Sequence, residues 1–323
     1  MGVSGMYNII PQPVSILINQ DEKGFTLHTG TTISPYPFVQ EFISVIRKSF
    51  NKKVYVHEDT GEERSIILKL DESIEYNEGY TIKCENRRVF IKAKTETGLF
   101  YGLQTLKQML LQTDGKLPYT EITDYPRFSY RGLMLDCEKN TYVVDEVKRL
   151  IDMMALHKMN VLRWKHNNYT QEEIQNVVKY CQDRRIKVIL NDDKEKGINS
   201  NLHPYCLDYP YGINTLKKIC NDDGEISDEN NETLGLEASL RTRNVADVKK
   251  AEYYLYPRLG AISENAWAEK DFSTFSTFLH KAGDYYKLLD AYGVNYANLS
   301  KACPSFLYKY ASIIKFKLMR KDK

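Results

Sequence analysis

The chain has 323 residues, 42% of them hydrophobic and 27% charged, with a formal net charge of +2. That length accommodates two domains, and the near balance of charge argues against nucleic acid or an anionic membrane as the main partner. Residues 1–20 lack a basic segment followed by an apolar run, because Pro11 and Pro13 interrupt the stretch 9–18; no secretory signal or membrane span is expected, and the chain reads as cytoplasmic. The six cysteines (Cys84, Cys137, Cys181, Cys206, Cys220 and Cys303) form no Cys-x-x-Cys pair, which suits free thiols in a reducing compartment. His203 and Cys206 have a spacing that could begin a metal site, but no second ligand pair follows, so no metal and no other cofactor is expected. The 24 tyrosines suit either packing or a sugar-binding surface, and packing is the reading taken for any single one.

The first part of the chain reads as α+β. Residues 25–33 and 65–70 alternate in strand fashion. Residues 80–94 read as a hairpin with a polar turn at 85–88. A helix over 37–49 carries Phe38, Phe42, Val45 and Ile46 on one face, and a second over 98–111 carries Leu99, Leu103, Leu106 and Leu110. Asp114-Gly115-Lys116-Leu117-Pro118 then punctuates the chain, and the domain boundary is placed after residue 123.

The rhythm changes beyond it. Residues 130–135 form a short strand ending in Asp136, 144–158 a helix with Val147, Leu150, Ile151 and Met154 inward, and 160–164 a strand. Thr170 and Glu173 make a capping box that starts a helix carrying Ile174, Val177, Val178 and Cys181, and 187–190 is the next strand. Such alternation predicts a parallel β/α arrangement, whose chemistry sits at the C-terminal ends of the strands. Those ends are Asp136, residues 165–168, and residues 191–193. Residues 194–205 show no clear strand or helix, and 221–232 form an acidic, solvated loop. One more strand is expected over 233–240, then a helix over 249–267 that Pro257 must interrupt, and a last helix over 271–292.

Ordered blocks along the chain carry a resemblance. They are Tyr7-Asn8-Ile9-Ile10-Pro11-Gln12-Pro13; Gly98-Leu99-Phe100-Tyr101-Gly102-Leu103-Gln104-Thr105-Leu106; Asp124-Tyr125-Pro126-Arg127-Phe128 with Arg131-Gly132-Leu133-Met134-Leu135-Asp136; Leu156-His157-Lys158-Met159-Asn160-Val161; Leu207-Asp208-Tyr209-Pro210-Tyr211-Gly212; and residues 234–240 with Tyr256-Pro257-Arg258-Leu259 and Glu264-Asn265-Ala266-Trp267. Together they resemble the β-N-acetylhexosaminidases of glycoside hydrolase family 20. The resemblance implies a small α+β accessory domain, here 1–123, followed by a (β/α) TIM-type barrel, here 124–323. It also implies a partner, a glycan bearing terminal β-linked N-acetylhexosamine, and a substrate-assisted hydrolysis. In that reaction the acetamido oxygen of the sugar attacks the anomeric carbon, a Glu acts as general acid, and an adjacent Asp orients the acetamido group.

This chain departs from that pattern. Asp-Glu occurs at 21–22, 71–72, 145–146 and 228–229, and none of these follows a fourth barrel strand. Residues 128–297 number about 170, whereas a closed barrel takes about 250. The shortfall, two or three βα units, falls between Leu190 and His203. No catalytic residue is therefore assigned. Arg131 and Asp208 are the retained candidates for binding sugar hydroxyls; Arg131 also reads as a strand-end anchor and Asp208 as a turn former. Cys206 stands where the resemblance calls for a Tyr, Arg163 and Lys165 where it calls for His, Lys139 and Asn140 for an Arg and a His, and Arg241 and Arg243 for a Trp and a Glu, while the Asp beyond the second strand is either lost or replaced by Asn168. Asp192 and Asp193 could serve as a substitute carboxylate pair, but no apolar context raises either pKa and a solvated loop is the reading taken. Three functions remain open: a hydrolase using other carboxylates, a non-catalytic sugar-binding or interaction protein, and the product of an internally deleted gene. An incomplete barrel leaves strand edges unpaired, which predicts self-association.

Overall fold

The computed structural model describes residues 7–58, 63–191, 198–199, 214–222, 233–270 and 273–304. Its first part contains β1 (Ser15–Asn19), β2 (Phe25–Thr26), β3 (Thr31–Ile33), α1 (Val39–Phe50), β4 (Val54–Val56), β5 (Ser65–Leu70), β6 (Tyr80–Glu85), β7 (Arg88–Ala93), α2 (Glu96–Gln112), β8 (Lys116–Leu117) and β9 (Tyr119–Asp124). Seven of these strands form one sheet in the order β1-β9-β6-β7-β5-β3-β4, while β2 and β8 pair separately. The stretch 25–33, expected as one strand, is broken into β2 and β3. Gly30 adopts a φ of +98°, which glycine tolerates, and the His28 N–H donates to Thr31 Oγ1 at 3.1 Å.

α2 is buried from Gly98 through Leu110 on every side. It lies between the sheet and the helices that follow, so even its polar residues must find partners inside. Gln108 exchanges two hydrogen bonds with the backbone of Ile10, and the Lys107 ammonium meets Glu41 of α1 at 2.7 Å. Gly98 is required by this packing, since a Cβ there would lie 2.4 Å from the Gly79 carbonyl oxygen.

The second part holds β10 (Tyr130–Asp136), α3 (Val144–Leu156), β11 (Val161–Lys165), α4 (Gln171–Gln182), β12 (Lys187–Leu190), β13 (Ile198–Asn199), α5 (Leu216–Cys220), β14 (Gly235–Arg241), α6 (Val248–Leu255), α7 (Arg258–Trp267), α8 (Phe275–Ala291) and α9 (Leu299–Ala302). The expected capping box forms at α4: Thr170 Oγ1 accepts from the Glu173 amide at 3.2 Å, and Glu173 Oε2 accepts from the Thr170 amide at 2.8 Å. Pro257 divides the expected helix 249–267 into α6 and α7.

Five parallel strands are described, in the order β12-β11-β10-β14-β13. β10 thus pairs on one side with its successor β11 and on the other with β14, late in the chain, as the first and last strands of a closing barrel do. β13 corrects the expectation of no strand in 194–205; it occupies the place next to β14 that the penultimate strand of a barrel would take. Only residues 191–197 separate β12 from β13, whereas a crossover between parallel strands takes about a dozen residues or more. The chain is mixed α/β: an accessory sheet followed by part of a TIM-type barrel. Among the described residues, no helix is long and apolar enough to cross a membrane.

Candidate functional site

Side chains alternate along a strand, and residues paired in register across parallel strands share a face. On one face of the five-stranded sheet Leu133, Leu135, Leu162, Trp164, Leu236, Ala238 and Leu240 join the core beneath the helices. The other face looks into the barrel, where Tyr130, Val161 and Ile198 form a small separate cluster against Ile189. Gly132 sits in this face under Tyr130, whose ring would meet an added Cβ at 2.5 Å.

The barrel interior is closed by a charged network. Glu237, fully buried, accepts from the Tyr130 hydroxyl at 2.8 Å and from Arg163 Nε at 2.9 Å, and a second guanidinium nitrogen of Arg163 completes a bidentate pair. Arg163, which replaces a His of the family pattern, is therefore held inside the sheet by an acid and a phenol. Its two-pronged fork fits a carboxylate.

The row nearest the C-terminal ends of the strands is set by register. Asp136 pairs with Lys165 on one side and Arg241 on the other. With strands about 4.8 Å apart, the backbone positions of two cationic residues lie on either side of Asp136, whose Oδ1 accepts from the Glu138 amide at 3.2 Å. Around the rim, polar side chains are used to pin loops. Asn140 Nδ2 donates to the Val245 carbonyl at 2.6 Å, Tyr142 to the same carbonyl at 3.0 Å, and the Thr242 hydroxyl to the Asn140 carbonyl at 2.6 Å. Asn191 Oδ1 accepts from the His166 amide at 2.8 Å, and Asn168 donates to Thr141 at 3.2 Å. His166 itself points to the helix side, packed against Trp164 and Tyr169, and burial lowers its pKa. Among the described residues, no group of three or more His, Cys, Asp or Glu is placed to hold a metal ion.

Arg131 is not part of this mouth. It is the second residue of β10, at the opposite end of the strand from the rim, and its parity places it on the helix side. Only 1% of it is exposed. Its Nε donates to the Lys158 carbonyl at 2.8 Å, and its two terminal nitrogens donate to both oxygens of Glu78 at 2.9 Å, to the Phe128 carbonyl at 2.7 Å and to Tyr101 at 3.3 Å. The guanidinium also lies over the Trp267 ring, 4.9 Å from its centre. Of the two readings of Arg131, sugar binder and strand-end anchor, this geometry fits the anchor: its donors tie β10 to the turn before β6. Asp208 lies outside the described residues, as do Cys206, Asp192, Asp193 and the Asp228-Glu229 pair.

A second buried cluster joins the two sheets, and the sequence alone did not single it out. Lys158 Nζ lies 2.7 Å from Asp124 Oδ2 and 2.8 Å from the Tyr80 hydroxyl, which also bonds Asp124; Trp267 Nε1 donates to the other oxygen of Asp124 at 2.9 Å. Burial pulls the Lys158 ammonium below its ordinary value, against the field of Asp124. Asp124, Lys158 and Trp267 fall inside the resembling blocks, which was the available signal; Tyr80 does not.

Comparison with known proteins agrees with this architecture. Residues 6–125 match the model of glycosyl hydrolase family 20, domain 2, and residues 128–168 that of the glycosyl hydrolase family 20 catalytic domain. The chain resembles the family 20 β-N-acetylhexosaminidases. It is 30% identical over 232 residues to a beta-hexosaminidase of Porphyromonas gingivalis, an alignment covering 56% of this chain and 29% of that protein. To a beta-N-acetylhexosaminidase of Cellulomonas fimi it is 31% identical over 166 residues, covering 48% of this chain and 33% of the relative. The matched part thus spans about a third of the length of these family 20 relatives. The Streptomyces plicatus N-acetyl-beta-hexosaminidase, solved in complex with Thio-NAglucal, superposes with a TM-score of 0.79 at 17% identity, covering 93% of this chain and 98% of that one. The family 20 enzyme of Streptomyces coelicolor A3(2) gives the same score at 16% identity, covering 94% and 100%. At those identities the likeness is one of fold. The catalytic-domain match ends at residue 168, just beyond β11 and before β12.

Proposed function

We propose that this chain is a non-catalytic relative of the β-N-acetylhexosaminidases, whose lineage points to glycans bearing N-acetylhexosamine. The observation that carries the reading is the inward row at the mouth, where the register partners of Asp136 are Lys165 and Arg241. The family's reaction needs a general-acid Glu with an adjacent Asp, and the described residues of this row supply no such pair. The short link 191–197 supports the same reading, because the family's Asp-Glu pair belongs at the end of a fourth strand for which that link has no room. Binding of a neutral sugar is also disfavoured. Arg131 is committed to Glu78, and Arg241 takes the place of the Trp that would give a pyranose an aromatic face. Asp208 remains as the candidate acceptor for a sugar hydroxyl.

The test is an activity assay with an aryl β-N-acetylglucosaminide. Release of the chromophore should not exceed background, since loss of the general acid alone removes roughly 10²–10⁴-fold. Robust turnover that disappears in Asp192→Ala or Asp193→Ala would reverse the conclusion and assign those carboxylates to catalysis. Calorimetric titration with N-acetylglucosamine should give no binding below millimolar concentration. Micromolar binding lost in Asp208→Ala would instead make the chain a sugar-binding protein.

A further inference from the structure

A recess of about 250 Å³, distinct from the barrel mouth, opens on the accessory sheet and is lined by Thr26, His28, Arg64 and Arg87. Three loops build it: the segment after β2, the residue before β5, and the turn between β6 and β7. Backbone hydrogen bonds hold them together. The Arg64 amide donates to the Arg87 carbonyl at 2.9 Å, and the Arg87 amide to the Gly24 carbonyl at 2.8 Å. Lys52 reaches the same place, its ammonium donating to the Leu27 carbonyl at 2.8 Å.

Both arginines adopt the left-handed backbone region, with φ of 73° at Arg64 and 64° at Arg87. L residues with a side chain avoid this region, which glycine fills most readily. The β6–β7 turn makes the choice visible. Asn86 and Arg87 are the two central residues of a two-residue hairpin turn with positive φ at both, where Asn-Gly is the preferred pair. Arginine thus stands where glycine would be less strained, twice, and both side chains line one recess. Strained positions of this kind concentrate at functional sites.

Internal partners do not explain the two side chains. The Arg64 guanidinium has no hydrogen bond or ion pair among the described residues. Arg87 pairs with Glu63 at 2.6 Å, but both side chains are more than half exposed, and pairs in that setting contribute little. The imidazole of His28 is held below its ordinary pKa by partial desolvation and by the positive charges of Arg64, Lys52 and Arg87.

We propose that this recess binds a tetrahedral oxyanion, a phosphate or sulfate group, either free or as an ester on a small ligand. Two guanidinium forks supply paired donors matched to such oxygens, and the Thr26 hydroxyl supplies a neutral one. The inference is independent of whether the barrel retains activity.

The test uses the full chain and the variants Arg64→Gly and Arg87→Gly. Glycine suits the backbone at both positions, so each variant should fold while losing one cation. Isothermal titration with inorganic phosphate, sulfate and N-acetylglucosamine 6-phosphate should show saturable binding to the parent protein. Each glycine variant should bind roughly tenfold more weakly or worse, whereas Arg47→Ala, on the exposed face of α1, should leave binding unchanged. Tighter binding of the sugar ester than of inorganic phosphate would assign the site to an ester, and equal binding to the free anion. Without anion, the glycine variants should melt at or above the parent temperature. Absence of saturable binding to the parent, or equal binding by the parent and both glycine variants, would overturn the proposal. So would a fall in melting temperature of both anion-free glycine variants, which would assign the two arginines to holding the loops.

Discussion

Replacing Arg131 by methionine keeps an unbranched apolar stem of similar reach and removes every donor of the guanidinium. The stem can still pack against Trp267 and Tyr101, so the packing loss is small. What is lost is the bidentate pair with Glu78 and the bonds to the carbonyls of Phe128 and Lys158. Removing one member of a buried pair costs about 3–5 kcal/mol, because the remaining charge is left without a partner. The Glu78 side chain is 22% exposed and regains some water, which favours the lower end of that range, about 3 kcal/mol. Urea unfolding should be followed for the parent, Arg131→Met, Glu78→Gln and the double variant. The double variant should be less destabilised than the two single losses added together, since its buried acid has become a neutral amide. An Arg131→Met protein within about 0.5 kcal/mol of the parent would refute the anchoring role. The same stability together with lost sugar binding would restore Arg131 to the ligand site.

Three further outcomes are expected. Thr170→Ala removes the acceptor for the Glu173 amide at the start of α4 and should cost about 1 kcal/mol in urea unfolding, with Thr170→Asp close to the parent. His157 is fully buried, bonded to the Met153 carbonyl and the Tyr285 hydroxyl, and burial lowers its pKa from 6.5 to about 4. The unfolded chain therefore takes up the proton first as pH falls, so the neutral imidazole's contribution is full above pH 6.5 and is lost progressively down to about pH 4, by roughly 3 kcal/mol. Unfolding measured across that window should lose this component of its slope in His157→Gln, and an unchanged slope would contradict the assignment. Gly235→Ala would place a methyl group 1.8 Å from the Tyr130 carbonyl oxygen, against the strand that Gly235 pairs with, and should cost roughly 4 kcal/mol or more; a near-parental melting temperature would show that the β10–β14 pairing is not as described.

Elements with local signals were readable before any coordinates. β5 and β12 coincide with the runs 65–70 and 187–190, and α4 begins at its capping box. Elements without such signals were not. β9 is paired on both sides, by β1 and β6, yet its buried row is Thr120, Ile122 and Asp124. Two of those three are polar and are satisfied by Tyr7, Lys158 and Trp267, residues far away in the chain. No period-2 hydrophobic pattern survives such a substitution. β13, with two residues, is too short to show a pattern at all.

The site divides along the same line, and strand parity is the reason. The run from Arg131 to Asp136 reads as one motif, but neighbouring residues in a strand point to opposite faces. Leu133 and Leu135 lie with Arg131 under the helices, while Gly132, Met134 and Asp136 face the barrel interior. A resemblance along the sequence carries both sets together and does not say which belongs to the mouth. For Arg131 the decision comes from Glu78, more than fifty residues upstream in the turn before β6, whose two oxygens match the guanidinium fork. For Asp136 it comes from register, which sets Lys165 and Arg241 beside it in parallel strands. The replacements of His by Lys165 and of Trp by Arg241 were each visible in the sequence; that both sit in register beside Asp136 was not. Their register turns two separate substitutions into one change at the mouth, which sets two cationic positions beside Asp136 where the family pattern has a His and a Trp.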